Sequence, residues 1–162
     1  MPRAPQVDVP NPSSPDETTA NAVSGAVGDI TSGLDGFAGL WVDGNGLVRL
    51  AVQQGHANDV KGILGDRFKG EVVVVEVQRS YRDLVARRDS ISTQIERLAK
   101  QGLSLMEWGP DEEHNTVWIS LIGYTEAKAE LARKLLGQDI VVKPSMTGGG
   151  PNDLFSIPVQ AR

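Results

Sequence analysis

The chain has no cysteine, which excludes disulfides, zinc–thiolate sites and thiol nucleophiles. It is also short of basic charge: 16 Lys+Arg stand against 21 Asp+Glu, a formal net charge of −5. The longest basic run is Arg87-Arg88, flanked by Asp83 and Asp89. A phosphate backbone needs a basic face to bind, so no nucleic-acid partner is expected. No apolar stretch approaches the ~18 residues of a membrane helix, so no membrane span is expected. Histidine is limited to His56 and His114, and no serine sits in a Gly-x-Ser-x-Gly setting. Serine-nucleophile catalysis therefore lacks its parts. Residues 1–14 show no secretory-signal pattern, and the compartment stays open.

What is present suits an ordinary globular core: 40% hydrophobic residues over 162 positions, enough for one domain or two small ones. Residues 1–14 contain four prolines and no periodicity, and read as a disordered arm. Ser14-Pro15-Asp16-Glu17 then combines an N-cap hydroxyl, a proline at the first helical position and a carboxylate three residues on. Ala20, Val23, Val27, Ile30 and Leu34 continue as one apolar helical stripe. Residues 36–52 are the clearest hairpin, because Asp43-Gly44-Asn45-Gly46 tolerates positive φ between two apolar runs. A short helix over 57–68, with Val60, Ile63, Leu64 and Phe68 inward, ends at Gly70.

Residues 71–143 read as one packing unit. EVVVVEV at 71–77 is a β-branched strand, and its four valines predict a central strand covered on both faces. Ser80 and Asp83 predict the start of a helix running to Lys100, with Leu84, Ile91, Ile95 and Leu98 inward and Gly102 ending it. A second hairpin pairs residues 103–108 with 116–122 around an acidic loop at 109–115, and can place Trp108 opposite Trp118. Thr125 caps a last helix that ends at Gly137, and residues 140–143 are the last strand.

The fold class expected is therefore α+β, with two small subdomains of antiparallel sheet and helices on one face. The subdomains are residues 15–70 and 71–144, sharing a fused core. The C-terminal one is a split βαβ unit of order β-α-β-β-α-β. Residues 145–162 follow as a flexible tail.

Three segments resemble the pro-region of secreted bacterial chymotrypsin-like serine proteases of the α-lytic protease and streptogrisin type. They are Gly36-Phe37-Ala38-Gly39-Leu40-Trp41-Val42-Asp43, then Ser80-Tyr81 with Leu84, then Asn115-Thr116-Val117-Trp118-Ile119. With the helix before the first hairpin the likeness spans roughly residues 15–144. The chain differs in separating Gly36 from Gly39, where the family has paired glycines, and in carrying Asp83 where it has glutamate. The resemblance implies a bacterial protein, secreted or in the cell envelope, that binds a serine protease. Trp108, Trp118 and Ile119 would form the contacting sheet surface. Leu154, Phe155, Ile157 and Arg162 would form a tail lying in the protease cleft.

The remaining candidate chemistry is weak. His56 reads as a solvent-facing loop residue. Asp111-Glu112-Glu113-His114 is the densest set of metal-type ligands, but adjacent carboxylates on a turn cannot all face one ion. Gly148-Gly149-Gly150 lacks the Lys-Ser/Thr of a phosphate loop. No enzyme, cofactor or metal is expected. The expected function is a non-catalytic protein-binding module, acting in protease inhibition or folding assistance. The alternative is a structural or assembly module that self-associates through its sheet as a homo-oligomer.

Overall fold

A computed structural model describes residues 15–145, with side chains from residue 19 onward. The chain runs twice through the same order of helix, hairpin, helix and strand. The first pass is α1 (Pro15–Thr31), β1 (Phe37–Val42), β2 (Val48–Gln53), α2 (Ala57–Leu64) and β3 (Val72–Val77). The second is α3 (Tyr81–Ser92) with α4 (Ile95–Lys100), β4 (Leu105–Asp111), β5 (Thr116–Leu121), α5 (Glu126–Leu136) and β6 (Val141–Pro144). Each pass makes one three-stranded sheet, ordered β1-β2-β3 and β4-β5-β6. The fold is α+β, and β5, α5 and β6 give the C-terminal half its βαβ character.

Both sheets are mixed rather than antiparallel. In each, a hairpin is followed by a helical crossover that returns the third strand parallel to the second. The strand expected to open the C-terminal unit, β3, pairs instead with β2 in unbroken register from Val48↔Val72 to Gln53↔Val77. Residues 54–71 are long enough for a parallel crossover, and pattern alone does not say which neighbour a strand joins. The valines of β3 are also at an edge, each only half-buried. The central place belongs to β2, whose Leu50, Ala51 and Val52 are fully buried.

Packing is likewise divided between the two units rather than fused. Alternation along the strands sends Leu40, Leu50, Val52, Val72 and Val74 to one face, where Val27, Val60, Leu64 and Phe68 cover them. In the second unit Val117, Ile119 and Leu121 meet Ile91, Leu98, Leu103, Ala132 and Ile140. Each buried leucine or isoleucine contributes about 1.5–3 kcal/mol relative to exposure. Two separate clusters therefore hold two small sheets, with helices on one face of each.

Local signals explain the element ends. Asp43 Oδ1 accepts from the amides of Asn45 (2.9 Å) and Leu47 (3.0 Å), and Gly46 takes φ 79°, closing the first hairpin. Helix α2 stops at Leu64, not at Phe68, because Gly65 adopts φ 56°; Ile63 then faces solvent at 53% exposure rather than inward. Ser80 and Asp83 form a reciprocal capping box at α3. The predicted single helix to Lys100 is broken at Thr93-Gln94. There the Thr93 hydroxyl (2.7 Å) and Gln94 amide (3.2 Å) donate to the Ser90 carbonyl, while the Gln94 N–H turns to Ile91. At the end of α4, Leu103 N–H bonds Leu98 and Gly102 N–H bonds Ala99, with Gly102 at φ 85°. Strand β4 continues through Gly109, Pro110 and Asp111, so the second turn is shorter than the loop expected there. Pro110 is tolerated because β4 is an edge strand.

Two glycine substitutions separate backbone strain from packing. A Cβ at Gly25 or Gly102 would meet nothing within 4 Å. Gly25→Ala in α1 should stabilise the protein by about 0.5–1 kcal/mol. Gly102→Ala should destabilise it by about 1–2 kcal/mol, the cost of a left-handed non-glycine residue. Urea midpoints measured at unchanged slope check both.

Candidate functional site

A polar cluster in the second unit, reaching the segment that leads into it, is centred on Asp139, just before β6. Arg87, on α3, grips this carboxylate with Nη2–Oδ1 at 2.7 Å and Nη1–Oδ2 at 3.0 Å. Arg79, in the segment joining β3 to α3, adds Nη1–Oδ2 at 2.8 Å. The buried Thr116 hydroxyl accepts from Arg87 at 2.9 Å and donates to Asp139 at 3.2 Å. Arg87's hydrogen bonds, reinforced by the two guanidinium charges, hold Asp139 well below the usual carboxylate range despite its partial burial. A side chain at Gly137 would collide with the Arg87 guanidinium. Asn115, at φ 51°, completes the group: its amide accepts from Arg79 N–H at 2.9 Å and donates to Arg79 C=O at 2.8 Å.

Two contacts link the two units directly. Glu112, in the β4–β5 turn, reaches back so that its Oε2 accepts the Leu40 amide at 3.0 Å. Gly39 permits this, since a Cβ there would lie 2.5 Å from that of Glu112. The rings of Phe37 and Tyr81 meet at 5.9 Å between centroids. Beside them lies an open cleft of about 550 Å³ whose lining includes Asp35, Gln53, His56, Tyr81 and Arg82. His56, expected as a solvent-facing loop residue, is half-buried at this open cleft, with its ring packed beside Gly36. The Ser80 hydroxyl on this cleft is spent on the Asp83 amide as a helix cap.

The sequence-predicted sheet residues separate onto two faces. Trp108 lies opposite Ile119, while Trp118 lies opposite Gly109. The register shift between Leu105 and Glu107 sets this pairing, so the two tryptophans do not form a cross-strand pair. Trp108 and Ile119 turn toward the helices. The Trp108 indole donates to Ser92 Oγ at 2.8 Å, and Ile119 is fully buried in the core and offers no side-chain surface. Trp118 takes the opposite face with Glu107, Ser120, Val141 and Lys143. Its ring lies against Gly109, and Lys143 Nζ sits 4.9 Å from the ring centroid. Leu154, Phe155, Ile157 and Arg162 lie outside the described residues, as do residues 1–14 and Gly148-Gly149-Gly150.

The acidic turn diverges. Asp111 Oδ1 accepts the His114 amide at 3.0 Å and meets its Nδ1 at 2.9 Å, while Glu112 points away to Leu40. Among the described residues no three His, Asp or Glu side chains gather as a cation set. Sequence reasoning missed the Arg79, Arg87 and Asp139 group; Gly39 and Asn115 carried the available signal, as residues suited to close approach and positive φ. No family model matches the chain, and no curated protein matches it.

Removing the central carboxylate tests the cluster. The folded value of Asp139 lies below the unfolded one, so its stabilisation is complete above an ordinary carboxylate pKa of about 3.9 and is lost as pH falls through the folded value. Its side chain is 43% exposed, so solvent screens the pair. Asp139→Asn should cost about 1–2 kcal/mol at neutral pH and lose less stability than wild type below about pH 5. Thermal unfolding across that range measures the difference.

Proposed function

We propose that the protein is a non-catalytic binding module of the serine-protease pro-region kind, engaging its partner through the C-terminal sheet and the segment that follows it. The observation that carries this reading is the outer face of that sheet. The core contacts of α3, α4 and α5 are made to its other face, through Val117, Ile119 and Leu121. The outer face presents Trp118, half-buried, with Lys143 over its ring. A large amphipathic ring beside a cation is suited to anchor a protein partner. β6, the last described strand, belongs to this same sheet and ends at Pro144. One partner can therefore meet the face and the apolar residues Leu154, Phe155 and Ile157 together.

Of the three segments that carry the resemblance, the first and second touch directly, and the third lies close in sequence to a residue that meets the first. Gly39 receives Glu112, the tilted rings of Phe37 and Tyr81 meet, and Asn115 clamps Arg79. The proposed inhibition or folding assistance of a chymotrypsin-like protease rests on the resemblance of these segments. The Asp83 departure is conservative in function, because its carboxylate completes the capping box.

Titration of the full chain against α-lytic-type and streptogrisin-type proteases, with residual activity read on a small peptide substrate, tests the proposal. Sub-micromolar inhibition is expected. Trp118→Ala should weaken it by about tenfold or more, and removal of residues 154–162 should abolish it. Full protease activity with the protein intact would overturn the reading.

A further inference from the structure

Among the described residues four strands lie at sheet edges, and three carry features that block the addition of another strand. β1 has a register shift between Phe37 and Gly39, and its Leu40 amide is taken by Glu112. β4 has a shift between Leu105 and Glu107, and contains Pro110. β6 has four residues and ends Lys143-Pro144. Bulges, prolines, lysines and short length are the usual protections of an exposed edge. β3 has none of them: six residues, VVVVEV, in continuous register with β2.

The direction of its free groups follows from its pairing. Val48 N–H donates to Glu71 C=O and Gln54 N–H to Val77 C=O, so odd-numbered residues of β3 turn their backbone groups toward β2. The even-numbered ones turn outward. Val72 N–H is used by Phe68 C=O at 3.2 Å, which leaves the Val72 carbonyl and both backbone groups of Val74 and Glu76 facing away. Beside this edge is a groove of about 220 Å³ walled by Leu64, Phe68, Val72 and Val74. Lys61, Lys69 and Asp66 also line it, so its charge is positive on balance.

We infer that β3 pairs antiparallel with β3 of a second copy, about a two-fold axis through Val74, to form one six-stranded sheet. Val74 then faces Val74 of the other copy, Val73 faces Val75, and Val72 faces Glu76. The outward N–H groups of Val74 and Glu76 find the outward carbonyls of Val74 and Val72, so every free N–H of the edge is used; the Glu76 carbonyl, opposite the Val72 N–H that Phe68 holds, is left to solvent. Val72, Val74 and Glu76 share a sheet face by alternation. Each exposed Glu76 therefore reaches the groove side of the other copy, where Lys61 and Lys69 lie, and no glutamate faces a glutamate. The strand carries the anion and its own groove carries the cations, and this self-complementarity identifies the occupant as a second copy. The contact is isologous and closes at two. It uses the N-terminal sheet and is independent of the proposed protease contact.

The test is the mass of the full chain in solution, by sedimentation velocity from about 1 to 100 µM. A dimer is expected. Glu76→Lys should weaken it at least about tenfold, and adding Lys61→Glu and Lys69→Glu should restore it. Val74→Pro should abolish the dimer while leaving the circular dichroism unchanged, because that N–H serves no bond within the sheet. A monomer throughout the range would overturn the inference, as would a dimer indifferent to Glu76→Lys. A monomer whose Val74 and Glu76 amides are protected from exchange only when residues 146–162 are present would overturn it too, in favour of the chain's own C-terminal segment.

Discussion

The paired grip of Arg87 on Asp139 is the contact that organises the second half of this protein and the segment leading into it. Each sheet has three strands and its own small apolar cluster, near the lower limit of what holds together in water. The clusters do not merge; Glu112 on Leu40 and Phe37 on Tyr81 link the two units, and the polar group ties the second unit to itself and to its leading segment. Arg87 brings α3 to the start of β6, Thr116 ties in the beginning of β5, and Arg79 ties in the segment leaving β3. The planar guanidinium matters here, because it meets both carboxylate oxygens and a carbonyl at once. Gly137 and Asn115 are the backbone conditions for the grip, one giving space and the other a positive φ.

With the units held this way, the two sheets present different surfaces. The C-terminal sheet offers a face, marked by Trp118 and Lys143. The N-terminal sheet offers an edge, the unprotected β3. A face recognises a partner through side chains, whereas an edge recognises it first through main-chain hydrogen bonds. The doubled order of helix, hairpin, helix and strand thus does not give two equivalent binding units. The difference lies in detail: β6 ends in Lys143-Pro144 where β3 runs on through valine. The acidic turn, which reads as a solvated loop, supplies the Glu112 latch between the sheets.

Features that depend on neighbours a few residues apart were readable from the chain. The Asp43-Gly44-Asn45-Gly46 turn, the Ser80 and Thr125 caps and the Gly102 helix end all formed, since each is closed by hydrogen bonds spanning two to five residues. The apolar stripes also found their helices and strands, because burial follows periodicity. The partner of β3, its place at an edge and the faces of Trp108 and Trp118 were not readable. A strand's neighbour is chosen among all strands, and a single bulge residue reverses which face a side chain takes. The Arg87–Asp139 pair spans 52 positions and Glu112–Leu40 spans 72, with nothing local to announce either. Composition and short-range chemistry therefore specified the elements and the α+β class. Their pairing, the polar cluster and the exposed face and edge arose only when distant segments competed for the same hydrogen bonds and the same apolar surface.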